Sequence, residues 1–353
     1  MISAVACVRS IPLGTFVAGV SSNGVRSSAV LLLRSAQQQP SAAASVARQY
    51  ARGTQFGFAP RANVLRAKPA APTLRERLLG PTTGMPFKVG SMALAGSAVL
   101  GTGALCYYGL GMSAETGIIE QSAAWPSYVR ERVRSTYAYL GGSLAVTAAS
   151  AAAVARQPAL LRIMAGNSLW VLFGSLAAVI GTGALLRSIP YTEGVGMKQV
   201  AWLLHTGTLG AVLAPMCFLG GPVLVRAAWY TAGVVGGLSA VAVCAPSDKF
   251  LNMAGPLSMG LGVVFVSTLG TWFLPPGSAL GAGVWSIAIY GGLILFGGFL
   301  LHDTQRVVKT AEHYPVYGVK PFDPVNAQIS IYLDILNIFM RIAMILSGQN
   351  RRR

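Results

Sequence analysis

The sequence predicts an all-α polytopic membrane protein, on three observations. Of its 353 residues, 53% are hydrophobic and only 10% are charged, against roughly a quarter charged in an ordinary soluble domain. Apolar runs of about 20 residues, the length a helix needs to cross a hydrocarbon core about 30 Å thick, recur from Lys88 towards the C-terminus. Pro- and Gly-bearing breaks separate them, at Pro158, Pro190, Gly220-Gly221-Pro222, Pro246 and Pro275-Pro276, where a helix must stop or kink.

Eight spans follow, near residues 88–110, 136–155, 165–186, 198–219, 222–245, 253–274, 279–301 and 325–347. Several connections are so short that consecutive spans must be antiparallel neighbours. Glycines fill the spans, with Gly233 and Gly237 forming one G-x-x-x-G, Gly277 and Gly281 another, and Gly297-Gly298 a pair. Small residues let helix backbones approach in lipid, so these positions are expected to pack helix on helix. Gly181-Thr182-Gly183 has neither a preceding strand nor a Lys, so it is not a phosphate loop.

Residues 1–50 read as a mitochondrial transit peptide. All ten acidic residues lie at or after Glu76, whereas nine basic ones precede it, spread among Ser, Ala and Gln. An acid-free, Arg- and Ser-rich leader has that composition, and the inner-membrane potential draws such cations inward. Arg48-Gln49-Tyr50-Ala51 looks like the site cut by the matrix processing peptidase, which places cleavage at Tyr50 and Ala51. Residues 51–87, rich in Pro, Gly and Arg, are expected to be a disordered linker, and 348–353 a basic tail. The net charge of +17 is then largely a targeting charge. Nucleic acid is not an expected partner, since the basic residues neither cluster nor interleave with aromatics.

The four cysteines, Cys7, Cys106, Cys217 and Cys244, are far apart and show no C-x-x-C spacing, which excludes a disulfide framework or zinc knuckle. No nucleophile–base pair, phosphate loop or transition-metal cluster points to an enzyme, and no cofactor is implied. An intramembrane aspartyl protease would carry Tyr-Asp and Gly-x-Gly-Asp, and neither motif is complete here.

Ionisable groups inside a membrane are costly and therefore informative. The candidates are His205, Arg226, Asp303, Asp334 and Arg341. His205, beside Thr206 and Thr208, reads as a packing hydrogen bond rather than a metal ligand. His302 adjoins Asp303 in sequence, but successive residues on a helix do not face each other. In the last span Asn326, Ser330, Asp334, Asn337 and Arg341 recur at steps of four, four, three and four, so they form a polar stripe on one helical face. That stripe should face the bundle interior. Asp303 closes the preceding span, so the two carboxylates come from consecutive antiparallel helices and can converge.

Two readings of the pair stand. In one, Asp303 and Asp334 bind a cation or share a proton, because like charges at close range in a low-dielectric site cannot both stay ionised. Ca²⁺, which takes oxygen ligands, is the expected metal. In the other, Asp334 pairs with Arg341 or Arg226 to hold helices together.

Three stretches carry a family resemblance: Gly298-Phe299-Leu300-Leu301-His302-Asp303-Thr304-Gln305, Lys309-Thr310-Ala311-Glu312-His313, and Ile331-Tyr332-Leu333-Asp334-Ile335-Leu336-Asn337-Ile338-Phe339. Together they resemble the C-terminal signature of the Bax-inhibitor-1 (transmembrane Bax inhibitor motif) family. Residues 136–347 fit its seven-helix bundle, preceded by one extra transmembrane helix at 88–110. The leader and extra helix are similar to the family's mitochondrial branch. The resemblance implies a multi-pass protein of the mitochondrial inner membrane with a pH-sensitive Ca²⁺/cation leak or Ca²⁺/H⁺ exchange activity, its two-aspartate sensor at Asp303 and Asp334. It also implies roles in cristae organisation and apoptosis, with cytochrome c, inner-membrane proteases and cristae proteins as partners. The architectural alternative is a non-transporting scaffold of the same membrane. His302 departs from the family's usual Phe or Tyr before Asp-Thr-Gln, and the loop from Thr310 to Pro324 is long.

Overall fold

The computed structural model describes Glu76, Gly80 and residues 84–350, apart from 114, 165–168, 247, 276 and 317–320. The leader with Tyr50 and Ala51, most of the 51–87 segment and the final arginines of the 348–353 tail lie outside the described residues. Among the described residues the chain is helical, with no β-strand. Eight long helices are present: α1 (Met85–Gly109), α2 (Ser127–Ala155), α3 (Leu169–Ser188), α4 (Met197–Leu213), α5 (Gly221–Cys244), α6 (Ala254–Phe273), α7 (Ala279–His313) and α8 (Pro324–Asn350).

Seven of these are long and apolar enough to cross a membrane, while α3 offers only the shorter apolar stretch Phe173–Ser188. The expected breaks end the helices as proline and glycine dictate. Gly220, at φ 91° and ψ 142°, takes a conformation essentially closed to other residues. It turns the 3₁₀ end of α4, Ala214–Leu219, into α5. Pro324 opens α8 where its missing N–H costs nothing, and Asp323 caps that helix by accepting from Asn326 N at 2.9 Å.

The structure corrects three helix bounds. The α1 helix starts at Met85, inside the segment expected to be linker. The α2 helix starts at Ser127 rather than near 136, because its first turns are amphipathic and not apolar. The α7 helix continues to His313, well past residue 301. Its C-terminal half is polar yet buried on one side, which hydropathy alone cannot see.

The centre of the bundle is α8. More than half of its apolar window is buried (56%), against 6% for α1. It packs against α2, α5 and α7, α4 packs on α2 and α3, and α1 lies outside against α5 and α7. Tyr332, Ile335, Leu336, Ile338 and Ile342 fill the core with Leu293, Phe296 and Leu300 of α7.

Close approach is set by some of the expected glycines and by others besides. A Cβ at Gly210 would lie 2.5 Å from the Thr147 carbonyl, and one at Gly142 3.2 Å from the Trp202 ring, so α2 and α4 nearly touch. Gly297 and Gly298 do pack closely, on Leu238 and Leu257. Gly233 and Gly237 have open space where a side chain would be, so this G-x-x-x-G joins no pair of helices among the described residues.

Side-chain bridges tie one end of the bundle. Gln305, fully buried, donates through Nε2 to Ala242 O (3.1 Å) and Pro246 O (2.8 Å) and accepts from Phe250 N (2.8 Å). It thus closes the end of α5 and pins the turn after it. Arg132 of α2 donates to Ala311 O, Tyr314 O and Pro315 O. It sits over the rings of Tyr128, Tyr314 and Phe322, so it caps α7. Gln305→Ala leaves two carbonyls and one N–H without partners, which is expected to destabilise the fold by about 2–4 kcal/mol. A thermal melt in detergent indistinguishable from wild type would refute the clamp.

Candidate functional site

Asp303 and Asp334 are both buried, at 6% and 5% exposure, and they meet across the seam between α7 and α8. The two carboxyls are in contact rather than joined by a well-formed hydrogen bond. Asp334 feels the Asp303 charge and lies within its hydrogen-bonding reach, yet Asp334 Oδ2 is buried without a partner of good geometry. A buried carboxylate oxygen left this way is expensive unless a proton or cation visits it.

His302 Nδ1 lies 2.7 Å from Asp303 Oδ1, and His302 is itself buried. The expectation that these neighbours do not face each other is therefore corrected. The Cα positions diverge around the helix, but the imidazole is long enough to turn back along it. On the other flank Thr304 hydrogen-bonds Leu300 O and contacts the Tyr137 hydroxyl. Tyr332 is completely buried, its hydroxyl 2.5 Å from Thr147 Oγ1, which fixes α8 against α2. Asp-Thr-Gln and Tyr-Leu-Asp thus each combine a carboxylate with residues that hold its helix in place.

The polar stripe splits into three parts. Asn326 turns away from the aspartates and accepts from Lys198 Nζ at 3.1 Å. Ser330 is half-buried and forms no side-chain hydrogen bond among the described residues. Asn337 accepts from Arg341 Nη1 at 2.9 Å. The reading in which Asp334 pairs with a cation is overturned at both candidates: Arg226 is exposed, and among the described residues the partners of Arg341 are neutral. Seven residues on a helix are about 10 Å, and the arginine finds a carbonyl nearer than the carboxylate. His205 is satisfied by Thr182 Oγ1 at 3.0 Å, as a packing histidine should be.

One buried charge escaped the sequence reading. Lys198, at 0% exposure, donates to Leu186 O (2.7 Å), Ile189 O (2.9 Å) and Asn326 Oδ1, and pairs with Asp323 at 2.8 Å. At the first turn of a span it looks like a lysine that snorkels to water. Its only sequence signal is the Asp323-Pro324 start of α8, whose cap carboxylate it neutralises. Tyr191, in the connection beside this knot, has its hydroxyl pushed up to about 12 by burial, with Tyr139, Glu193 and Asp323 adding to the effect. It therefore stays neutral across physiological pH.

Among the described residues no group of three or more His, Cys, Asp or Glu is arranged to hold a metal ion. Two carboxyls supply at most four oxygens, fewer than the about six to eight that Ca²⁺ takes in a resident site. Such a pair suits an ion in passage or a shared proton.

An all-α, multi-pass bundle whose central helix brings a buried carboxyl against one from its neighbour defines the class: a polytopic membrane protein with a paired-acid core. The family model for Inhibitor of apoptosis-promoting Bax1 matches residues 129–352, and the chain belongs to that family. It is 55% identical over 284 residues to Growth hormone-inducible transmembrane protein of Rattus norvegicus, covering 79% of this chain and 82% of that one. It is also 25% identical over 231 residues to Bax inhibitor 1 of Drosophila melanogaster (64% and 86% covered). An uncharacterized membrane protein of Vibrio cholerae is 31% identical over 182 residues (50% and 73% covered). No solved structure matches the chain.

Proposed function

We propose that the protein is a pH-sensitive Ca²⁺/cation pathway of the mitochondrial inner membrane, leaking Ca²⁺ or exchanging it for protons at Asp303 and Asp334. The observation that carries this reading is the contact of two buried carboxyls with Asp334 Oδ2 unpartnered. A proton on the pair relieves the repulsion, and so does a divalent cation, so the two compete for one place. His302, against Asp303, offers a base from which that proton can arrive or leave. Roles in cristae organisation and in apoptosis through cytochrome c retention belong to this reading as consequences of ion balance.

Purified full-length protein in liposomes tests it. Ca²⁺ flux is expected, with a rate that differs between mildly acidic and mildly alkaline pH, and Asp303→Asn and Asp334→Asn should each remove most of both. The mitochondrial address is tested separately: N-terminal sequencing of the mature chain is expected to begin near Ala51, and an intact Met1 on protein in mitochondria would refute it.

A second reading, a scaffold that organises cristae and partner proteins, is favoured by the exposed surfaces of α1 and of α5 around Gly233 and Gly237. Protein that conducts nothing in liposomes, while its loss still disrupts cristae, would select it.

A further inference from the structure

One buried charge in the seam has no acidic partner among the described residues. Arg341 is only 9% exposed. Its Nε donates to Ala288 O at 3.2 Å, and its Nη1 to Asn337 O at 3.1 Å and Asn337 Oδ1 at 2.9 Å. Its guanidinium carbon lies 4.5 Å above the Phe296 ring.

The seat is cut into the backbone of α7. Ala288 belongs to a π turn, Ile287–Gly291, and such a widened turn loosens the regular ladder of carbonyls and is frequent where a helix has work beyond packing. A Cβ on the next residue, Gly292, would lie 2.2 Å from Arg341 Nε. Only glycine leaves the guanidinium room there.

The position of this seat matters. Arg341 lies two turns from Asp334 on the same face of α8, about 10 Å along the axis. Phe296 precedes Asp303 by the same seven residues on α7. The arginine therefore occupies the seam that holds the aspartates, between them and the end of the bundle where α7 begins and α8 finishes. A guanidinium keeps its charge. In a low-dielectric passage a fixed positive charge repels a divalent cation twice as strongly as a monovalent one at the same distance.

We propose that Arg341 is the charge gate of the passage, parked in the seam by the π turn and Gly292, and that it sets how strongly divalent cations are held back relative to monovalent ones. This rests on the transport reading of Asp303 and Asp334. For Ca²⁺ to pass, the guanidinium must leave the Ala288 carbonyl and swing out of the seam.

The test is a pair of fluxes, Ca²⁺ and K⁺, through full-length protein in liposomes. Arg341→Gln, which keeps a hydrogen-bonding side chain without the charge, is expected to raise the Ca²⁺-to-K⁺ ratio several-fold. Arg341→Lys keeps the charge and should stay near wild type. Gly292→Ala changes no charge but crowds the guanidinium off its seat, and it should shift the ratio in the same direction as Arg341→Gln. A ratio unchanged in both Arg341→Gln and Gly292→Ala, while Asp334→Asn still lowers Ca²⁺ flux, overturns the gate and leaves the aspartate reading standing. Aggregation of both proteins would mark the arginine as structural and overturn the gate as well. Wild-type protein that passes neither ion overturns the gate and the transport reading together.

Discussion

Lys198→Met is expected to unfold one end of the bundle. The ammonium is fully buried and serves four oxygens on three elements: the last turn of α3 and the residue after it, Asp323 before α8, and Asn326 in its first turn. Methionine fills the volume and supplies no donor, so two carbonyls, an amide oxygen and a carboxylate lose their partner at once. Breaking a buried pair by removing one member costs about 3–5 kcal/mol. Asp323 keeps some access to water, which puts the expected loss towards the lower figure. A melting temperature in detergent close to that of wild type would show the knot to be dispensable. Lys198→Met/Asp323→Leu, which removes both charges, should recover part of the loss.

Asp334→Asn is expected to remove Ca²⁺ flux while leaving the fold intact. Asparagine matches the shape of the carboxyl, so the packing around this buried position is left undisturbed. A carboxylate about 4 Å from a unit charge contributes roughly 4 kcal/mol at an effective dielectric of 20, and every 1.4 kcal/mol or so is a factor of about ten in rate or affinity. Loss of one of two charges should therefore lower Ca²⁺ flux by at least about tenfold. Asp303→Asn should do the same, and the double variant should be little worse than either alone, because paired groups act as a unit. Two single variants that conduct like wild type would eliminate the carboxylate pathway.

Much of this was legible in the sequence because it follows from periodicity. Apolar runs placed all eight helices, and Gly220 and Pro246 marked helix ends for steric reasons that no tertiary contact can override. The step of the polar stripe put Asp334 inside, and antiparallel order brought Asp303 to it. The partners of the buried cations were not legible. Whether Arg341 meets Asp334 or a carbonyl depends on a π turn in another helix, and Ile287–Gly291 has no compositional signature. Lys198 was passed over because burial at a span's first turn depends on how α3 and α8 end around it. His302 was misjudged because Cα geometry says little about where a long side chain can reach. Gln305 sits beyond the apolar window of α7, and its three bonds lead to a loop whose path only the assembled bundle defines.

The axle of the bundle, α8, is the last of the eight helices in chain order. In a chain that enters the membrane from its N-terminus, α2, α5 and α7 wait with their inward faces bare until α8 slots between them. Maturation of this protein should hinge on that late arrival. A chain stopped ahead of Pro324 is expected to remain a loose ring that quality control removes, and a fault in the last helix should be felt throughout the molecule at once.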